Sequence, residues 1–177
     1  ALSACRTGDS FGFVGCDTVV RPDLLLPHTR ARGAGTALAA SRRALRLAGR
    51  SADGLQEAHW HLTQRRALVF LVSDFHLPLA DVAAVLAKLA HHDVLPVVLW
   101  QRAEFDLGAQ RGFADMAEPE SGQRRWLWWR PALRERWQAA AQERRGALTA
   151  LFRAHRLSPL FIEGAFDADA VTRHFMA

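Results

Sequence analysis

The sequence predicts a single α/β domain over residues 1–177, with three layers: a mainly parallel sheet and helices on both of its faces. Two continuous apolar runs, residues 67–72 and 94–100, are typical of strands that are buried on both faces of a parallel sheet. An amphipathic segment from Pro78 to about His91 joins them, with its apolar residues at helical spacing. Strand, helix and strand together form a βαβ unit, whose crossover should be right-handed.

The residues before this unit predict a small hairpin and a helix. Phe11 and Phe13 alternate with small residues, as in a strand. The helix should end at Gly49, since glycine suits a helix terminus. In chain order we expect the end of a helix at 1–6, strands at 10–16 and 18–21, a loop at 22–32, a helix from 33–36 to 49, and a short helix with a connection at 51–63.

The residues after the βαβ unit predict an irregular segment followed by two strands and two helices in alternation. Residues 101–123 show no period and should be irregular. A short strand at 125–130, a long helix at 131–155 and a strand at 160–162 follow. The last helix spans 167–175, and Asp167 is a suitable N-cap residue.

The composition excludes several classes of protein. The 177 residues are 50% hydrophobic and 23% charged, which excludes disordered, collagen-like and disulfide-stapled chains. No apolar run approaches the roughly 18 residues of a membrane span. Two cysteines without a metal-binding spacing favour a reducing compartment. The chain begins with Ala1 and has no signal-peptide pattern, so we expect a fragment of a longer, cytoplasmic protein.

Positive charge is concentrated in one segment. The net charge is +5, and residues 124–156 hold nine arginines against Glu135 and Glu143. Such a segment either forms a solvated helix face or meets an acidic protein, a lipid or a nucleic acid. Its two arginine pairs are candidate partner-binding residues: Arg124, Arg125, Arg144 and Arg145.

Tryptophans lie within the same segment. Aromatic side chains between arginines can stack on single-stranded bases. However, Trp126 and Trp128 should face one way and Trp129 the other, as in a core strand buried on both sides. We therefore expect core packing and no nucleic-acid partner, and we keep nucleic-acid binding through residues 124–156 as an alternative.

Two residues are candidate metal ligands. Asp74 follows the first apolar run, and ligand sites of parallel sheets lie beyond the carboxyl ends of the strands. Thr36 begins a helix after two glycines. A carboxylate and a hydroxyl suit Mg²⁺, although a turn former and a helix cap explain the same residues. The eight histidines show no zinc spacing, and no nucleophile elbow or Walker A motif is present.

Five motifs and the closing Phe175 carry a resemblance to a known family. In order they are GDSFGFV at 8–14, GTAL at 35–38, LVSDF at 71–75, HHDVLPV at 91–97 and EPESG at 118–122. Over nearly the whole chain, the sequence resembles a von Willebrand factor type A domain. More narrowly, it resembles the bacterial domain of unknown function 58, which includes MxaS-like proteins.

The resemblance implies an incomplete metal-ion-dependent adhesion site. In that fold an Asp-x-Ser-x-Ser loop, a Thr and an Asp hold the ion, and Thr36 and Asp74 match the last two. The loop and the first central strand have no match, so Mg²⁺ is expected only in the complete protein. We expect a partner chain, such as a second copy, to fill the gap, or an altered strand order. Gln101 also departs from the acidic residue common in the family.

The resemblance also implies a function. Family members are commonly encoded beside MoxR-type AAA+ ATPases and are thought to act as adaptors in the maturation of enzymes, methanol oxidation being the system of MxaS-like members. We therefore expect a non-catalytic protein-interaction domain with no membrane segment. A metal-dependent hydrolase at Asp74 is the further alternative.

Overall fold

The structure, a computed structural model, describes residues 2–31, 33–42, 51–101, 112–117 and 124–176. The described residues up to Arg66 form one compact unit, and those from Ala67 onward form a second. The assignment of residues 1–177 to a single domain stays a prediction.

The first unit is built on an antiparallel pair of strands. Helix α1 (Leu2–Thr7) precedes β1 (Phe11–Cys16), which pairs with β2 (Val20–Thr29). At the turn between them, Arg21 donates hydrogen bonds to the carboxylates of Asp17 and Asp23. The described part of the unit is completed by helix α2 (Ala34–Arg42) and two 3₁₀ turns, Asp53–Gln56 and Ala58–His61.

The prediction of a loop at residues 22–32 is wrong, because β2 runs on to Thr29 through two prolines. Proline lacks an N–H donor, which a strand tolerates at a sheet edge or next to a bulge. Among the described residues β2 pairs with β1 alone, and the register shifts between Phe11 and Phe13. The predicted helix after residue 33 is confirmed as far as Arg42, and residues 43–50 lie outside the described part.

The second unit contains the predicted βαβ unit and a parallel sheet. Strand β3 (Leu68–Ser73), helix α3 (Leu79–Lys88) and strand β4 (Asp93–Trp100) follow one another, and β4 also pairs in parallel with β7 (Leu160–Glu163). The strand order is β3-β4-β7. The remaining elements are β5 (Gly112–Ala117), β6 (Arg124–Trp129), α4 (Pro131–Ala154) and α5 (Ala168–Met176).

Helices flank this parallel sheet and supply its core. Helices α3 and α4 pack together, and each buries apolar side chains. Val171 of α5 packs against a separate cluster formed by Leu95, Val97 and Leu160 of the sheet. The predicted α/β class with a parallel sheet is therefore confirmed, whereas the three-layer von Willebrand architecture stays a prediction. The buried residues of the two helices are Val82, Val85, Leu86, Leu148 and Phe152.

The second unit contains a strand in a segment that was predicted to be irregular. Residues 112–117, expected to be irregular, form β5, which pairs antiparallel with β6. Four of the seven described strands thus lie in antiparallel pairs. A segment rich in Gly, Ala and Asp has low strand propensity, and pairing with β6 stabilises it where its own pattern does not.

Strand β3 was expected to be buried on both faces, which is wrong for one face. Leu68, Phe70 and Val72 are 53%, 50% and 53% exposed, whereas Leu71 between them is buried. The difference arises because β3 is an edge strand of the described sheet, and described residues cover only one of its faces well.

Candidate interaction site at the carboxyl edge of the parallel sheet

The loop after β3 is held by hydrogen bonds between residues that are close in sequence. Ser73 Oγ accepts the N–H of Phe75 (3.0 Å), and Asp74 Oδ1 accepts the N–H of His76 (3.1 Å). Phe75 has a φ of +54°, a left-handed conformation that is costly for a bulky residue. Its fully buried ring meets that of Phe152 edge to face, with centroids 5.3 Å apart, and this packing offsets the strain.

Arg144 of α4 ties the helix to this loop. Its Nη2 donates to the carbonyl oxygen of Phe75 (2.6 Å) and to that of Leu77. Burial lowers the pKa of the Arg144 guanidinium below its ordinary value. Among the described residues, the hydrogen bonds of Arg144 go to these two carbonyl oxygens and to no carboxylate. Arg144 therefore positions the loop, and its predicted contact with a partner stays a prediction.

The last residue of β4 supports the same loop from the sheet. Trp100 is 4% exposed, and its Nε1 donates to the main-chain oxygen of Asp74 (2.8 Å). The ring of His76 lies nearly parallel to the indole, with an angle of 10° and centroids 6.3 Å apart. The loop thus presents Asp74 and His76 outward on a fixed backbone, since both residues are exposed.

The end of β7 adds a second charged group to this edge. Arg145 forms an ion pair with Glu163, and its guanidinium lies 4.2 Å from the centroid of the Phe161 ring. The Phe161 ring in turn meets Trp100 at 5.6 Å. A continuous series of contacts therefore joins the Asp74 loop to the Arg145–Glu163 pair. We call this set the carboxyl-edge surface: Asp74, His76, Trp100, Arg144, Arg145 and Glu163.

The two predicted metal ligands lie in different units. Asp74 is exposed after β3, and Thr36 is exposed in the first turn of α2. Their joint coordination of Mg²⁺ stays a prediction. The described residues contain no group of three His, Cys, Asp or Glu side chains arranged to hold a metal ion.

The four predicted partner-binding arginines fall in two places. Arg144 and Arg145 contribute to the carboxyl-edge surface, as described above. Arg124 is exposed at the start of β6, and Arg125 follows it in that strand, with its side chain outside the described set.

Trp126 departs from the prediction of a core strand buried on both sides. Its side chain is 70% exposed. In a two-stranded antiparallel pair, one face can stay open to solvent, and this explains the exposure.

The sequence reading missed three members of the carboxyl-edge surface: His76, Trp100 and Glu163. Trp100 and Glu163 end the strands that lie beside one another in the sheet, where they are registered partners. Since carboxyl ends of parallel strands meet at one edge, the last residue of each predicted strand was the available signal. The sequence of neither strand alone predicts that β4 pairs with β7.

Comparisons with known proteins give one family and two further matches. Residues 1–147 match the family described as "Protein of unknown function DUF58". A Paracoccus denitrificans protein named "Uncharacterized protein in moxR 3'region" is 39% identical over 103 residues, which cover 57% of this chain and 96% of that protein. A solved structure, "Crystal Structure of Uncharacterized Membrane Spanning Protein from Vibrio fischeri", is 18% identical, covers 99% of this chain and 81% of that one, and has a TM-score of 0.25.

Among the described residues, no helix combines the length and the apolar character needed to cross a bilayer.

Proposed function

This chain belongs to the family described as "Protein of unknown function DUF58", and we propose that it is a non-catalytic interaction domain that works with a MoxR-type AAA+ ATPase. The observation that carries the proposal is the 39% identical relative named for the moxR 3' region. Neighbouring bacterial genes often encode proteins that act together. The proposal extends to a cytoplasmic adaptor in the maturation of an enzyme or complex, with methanol oxidation as one candidate system.

The carboxyl-edge surface is the proposed contact region. Asp74 and His76 stand exposed on a loop that Arg144 and Trp100 hold from two sides. A surface ordered before binding loses little conformational entropy when a partner arrives, which raises affinity. Arg145 and Glu163 add one charge of each sign at the rim, which favours specificity for a partner of complementary pattern.

A binding measurement with the MoxR-type ATPase of the same genome tests the proposal. We expect the chain, in its full-length protein, to form a complex, and Asp74→Ala together with His76→Ala to weaken it at least about tenfold, as for central interface residues. Arg153→Ala is the matched control, since Arg153 is an exposed residue of α4 outside this surface. No complex with the unmodified protein would contradict the proposed function.

A second candidate function, binding of single-stranded nucleic acid, is favoured by the exposure of Trp126 next to basic residues. An exposed indole can stack on bases while arginines contact phosphates. A titration with single-stranded DNA should then show a steep salt dependence and a loss of affinity in Trp126→Ala. Absence of binding at low salt would remove this candidate.

A further inference from the structure

The second 3₁₀ turn of the first unit, Ala58–His61, carries an exposed tryptophan. Trp60 is 77% exposed, although a tryptophan side chain is largely buried on average. Exposed indoles are enriched at the surfaces through which proteins bind one another, where they often contribute much of the affinity. Trp60 is therefore a candidate contact residue.

The indole of Trp60 is held in place by its neighbours in the turn. The ring of His59 lies against it, with centroids 4.4 Å apart and an angle of 37°. His59 Nδ1 in turn donates a hydrogen bond to the carbonyl oxygen of Gln56 (3.0 Å). His59 covers one face of the indole, and the high exposure of Trp60 leaves the other face open to solvent.

The carboxylate of Glu57 lies on the same side of the turn as the indole. The N–H of Trp60 donates to the carbonyl oxygen of Glu57 (3.1 Å), and side chains three residues apart in a 3₁₀ turn lie one above the other. Glu57 is exposed, and within the described part of the chain its carboxylate forms no hydrogen bond or ion pair. An unpaired carboxylate thus lies one turn before an open indole face.

We propose that Glu57 and Trp60 bind an arginine side chain of a partner protein. The guanidinium stacks on the open face of the indole, and its N–H groups donate to the Glu57 carboxylate. Both contacts suit arginine better than lysine, because the guanidinium is planar and presents its donors in one plane. The site shares no residue with the carboxyl-edge surface, so it is independent of the ATPase proposed above.

The local charge selects this occupant over the other common ligands of an exposed indole. Asp53, four residues before Glu57, is also exposed and acidic. Carboxylates next to Trp60 repel phosphate groups, which disfavours both a nucleic acid and an anionic lipid surface. The arginines nearest in sequence, Arg65 and Arg66, follow after the chain has left the turn. A basic side chain of a protein is therefore the complementary ligand.

NMR titration of the whole chain with a blocked tripeptide, acetyl-Gly-Arg-Gly-amide, tests the site. The six tryptophans give six indole N–H signals, and Trp60→Phe identifies the signal of Trp60. We expect this signal to shift saturably, with dissociation in roughly the millimolar range, since a single exposed contact of each kind is weak. The corresponding lysine peptide should bind at least about threefold more weakly, and the glutamine peptide should cause no shift.

Matched carboxylate variants test the role of Glu57. Glu57→Gln removes the charge and keeps the shape, so it should weaken binding of the arginine peptide at least about threefold. Glu143→Gln removes the same charge from an exposed position of α4 and should leave binding unchanged. Equal binding by Glu57→Gln and the unmodified chain, or no shift of the Trp60 signal at all, would overturn the proposal.

The second exposed tryptophan tests whether binding is specific to this turn. Trp126 is 70% exposed, and its indole signal, identified with Trp126→Phe, should stay in place during the same titration. Equal shifts of the Trp60 and Trp126 signals would overturn the proposal. Single-stranded DNA should leave the Trp60 signal unmoved, and a saturable shift with DNA would overturn the proposal in favour of a nucleic-acid ligand.

Discussion

Replacing Arg144 with alanine should loosen the loop that presents Asp74 and His76. The guanidinium is half-buried and donates to two main-chain carbonyls, those of Phe75 and Leu77. Removal leaves both acceptors without their charged donor beside a residue in a left-handed conformation. The substitution itself suits a helix, since alanine is the best helix former.

The magnitude follows from the two hydrogen bonds. A hydrogen bond to a charged group contributes about 1.5–3 kcal/mol when it is buried. Water reaches this half-buried site and replaces part of each bond, so we expect a loss of about 2 kcal/mol in the free energy of unfolding. Arg153→Ala, on an exposed position of the same helix, should change it by less than about 0.5 kcal/mol.

Urea unfolding of both variants and hydrogen exchange of the loop amides measure this difference. The amides of Phe75 and His76, which donate to Ser73 and Asp74, should exchange faster in Arg144→Ala. Arg144→Lys should recover only part of the protection, because an ammonium lacks the planar arrangement of donors. Equal stability and exchange in Arg144→Ala and Arg153→Ala would refute the positioning role of Arg144.

Three other predictions concern the two glycines, the buried histidine and the metal. Gly54→Ala should destabilise the first unit by about 1–3 kcal/mol, because the added carbon would lie 2.6 Å from the carbonyl oxygen of Val19. Gly146 of α4 has open space around it, so Gly146→Ala should raise the free energy of unfolding by about 0.5–1 kcal/mol. A change of the same sign for both variants in thermal unfolding would refute this account. Burial and the neighbouring His91 lower the pKa of His92 below its ordinary 6.5. The unfolded chain therefore binds this proton at a higher pH than the folded chain does, and the free energy of unfolding should fall as the pH drops below 6.5. His92→Phe should flatten that part of the profile of stability against pH, and an unchanged profile would contradict this role of His92. If Asp74 is a Mg²⁺ ligand, the heat of Mg²⁺ binding should disappear in Asp74→Ala, whereas identical heats in calorimetry would exclude the role.

The βαβ unit was predictable from the sequence because its signals are local. The two apolar runs and the amphipathic segment between them determine β3, α3 and β4 with little help from distant residues. Helix α4 and strand β7 were recognised for the same reason.

The strands that were missed depend on their partners. Strand β2 contains two prolines, and β5 consists largely of small residues, so neither has a strong pattern of its own. Each forms a strand through its antiparallel neighbour, β1 or β6, and that pairing is a contact across the chain. The half-exposed face of β3 has the same origin, since an apolar run has the same sequence at the edge of a sheet as at its centre.

The site was predicted in part. The position of Asp74 after the first apolar run correctly placed it at the carboxyl edge of the sheet. The role of Arg144 was not predictable, because its two acceptors lie 67 and 69 residues away along the chain. A cluster of arginines in the sequence shows only that the segment is basic. Which arginine positions a loop and which lies at the rim of a surface depends on burial in the folded chain.

Direct binding to the MoxR-type ATPase of the same genome tests the central claim. Isothermal titration calorimetry with the full-length protein should show a saturable complex that Asp74→Ala with His76→Ala weakens at least about tenfold, while Arg153→Ala leaves it unchanged. A flat titration with the unmodified protein, under conditions in which the ATPase is folded and active, would contradict the claim.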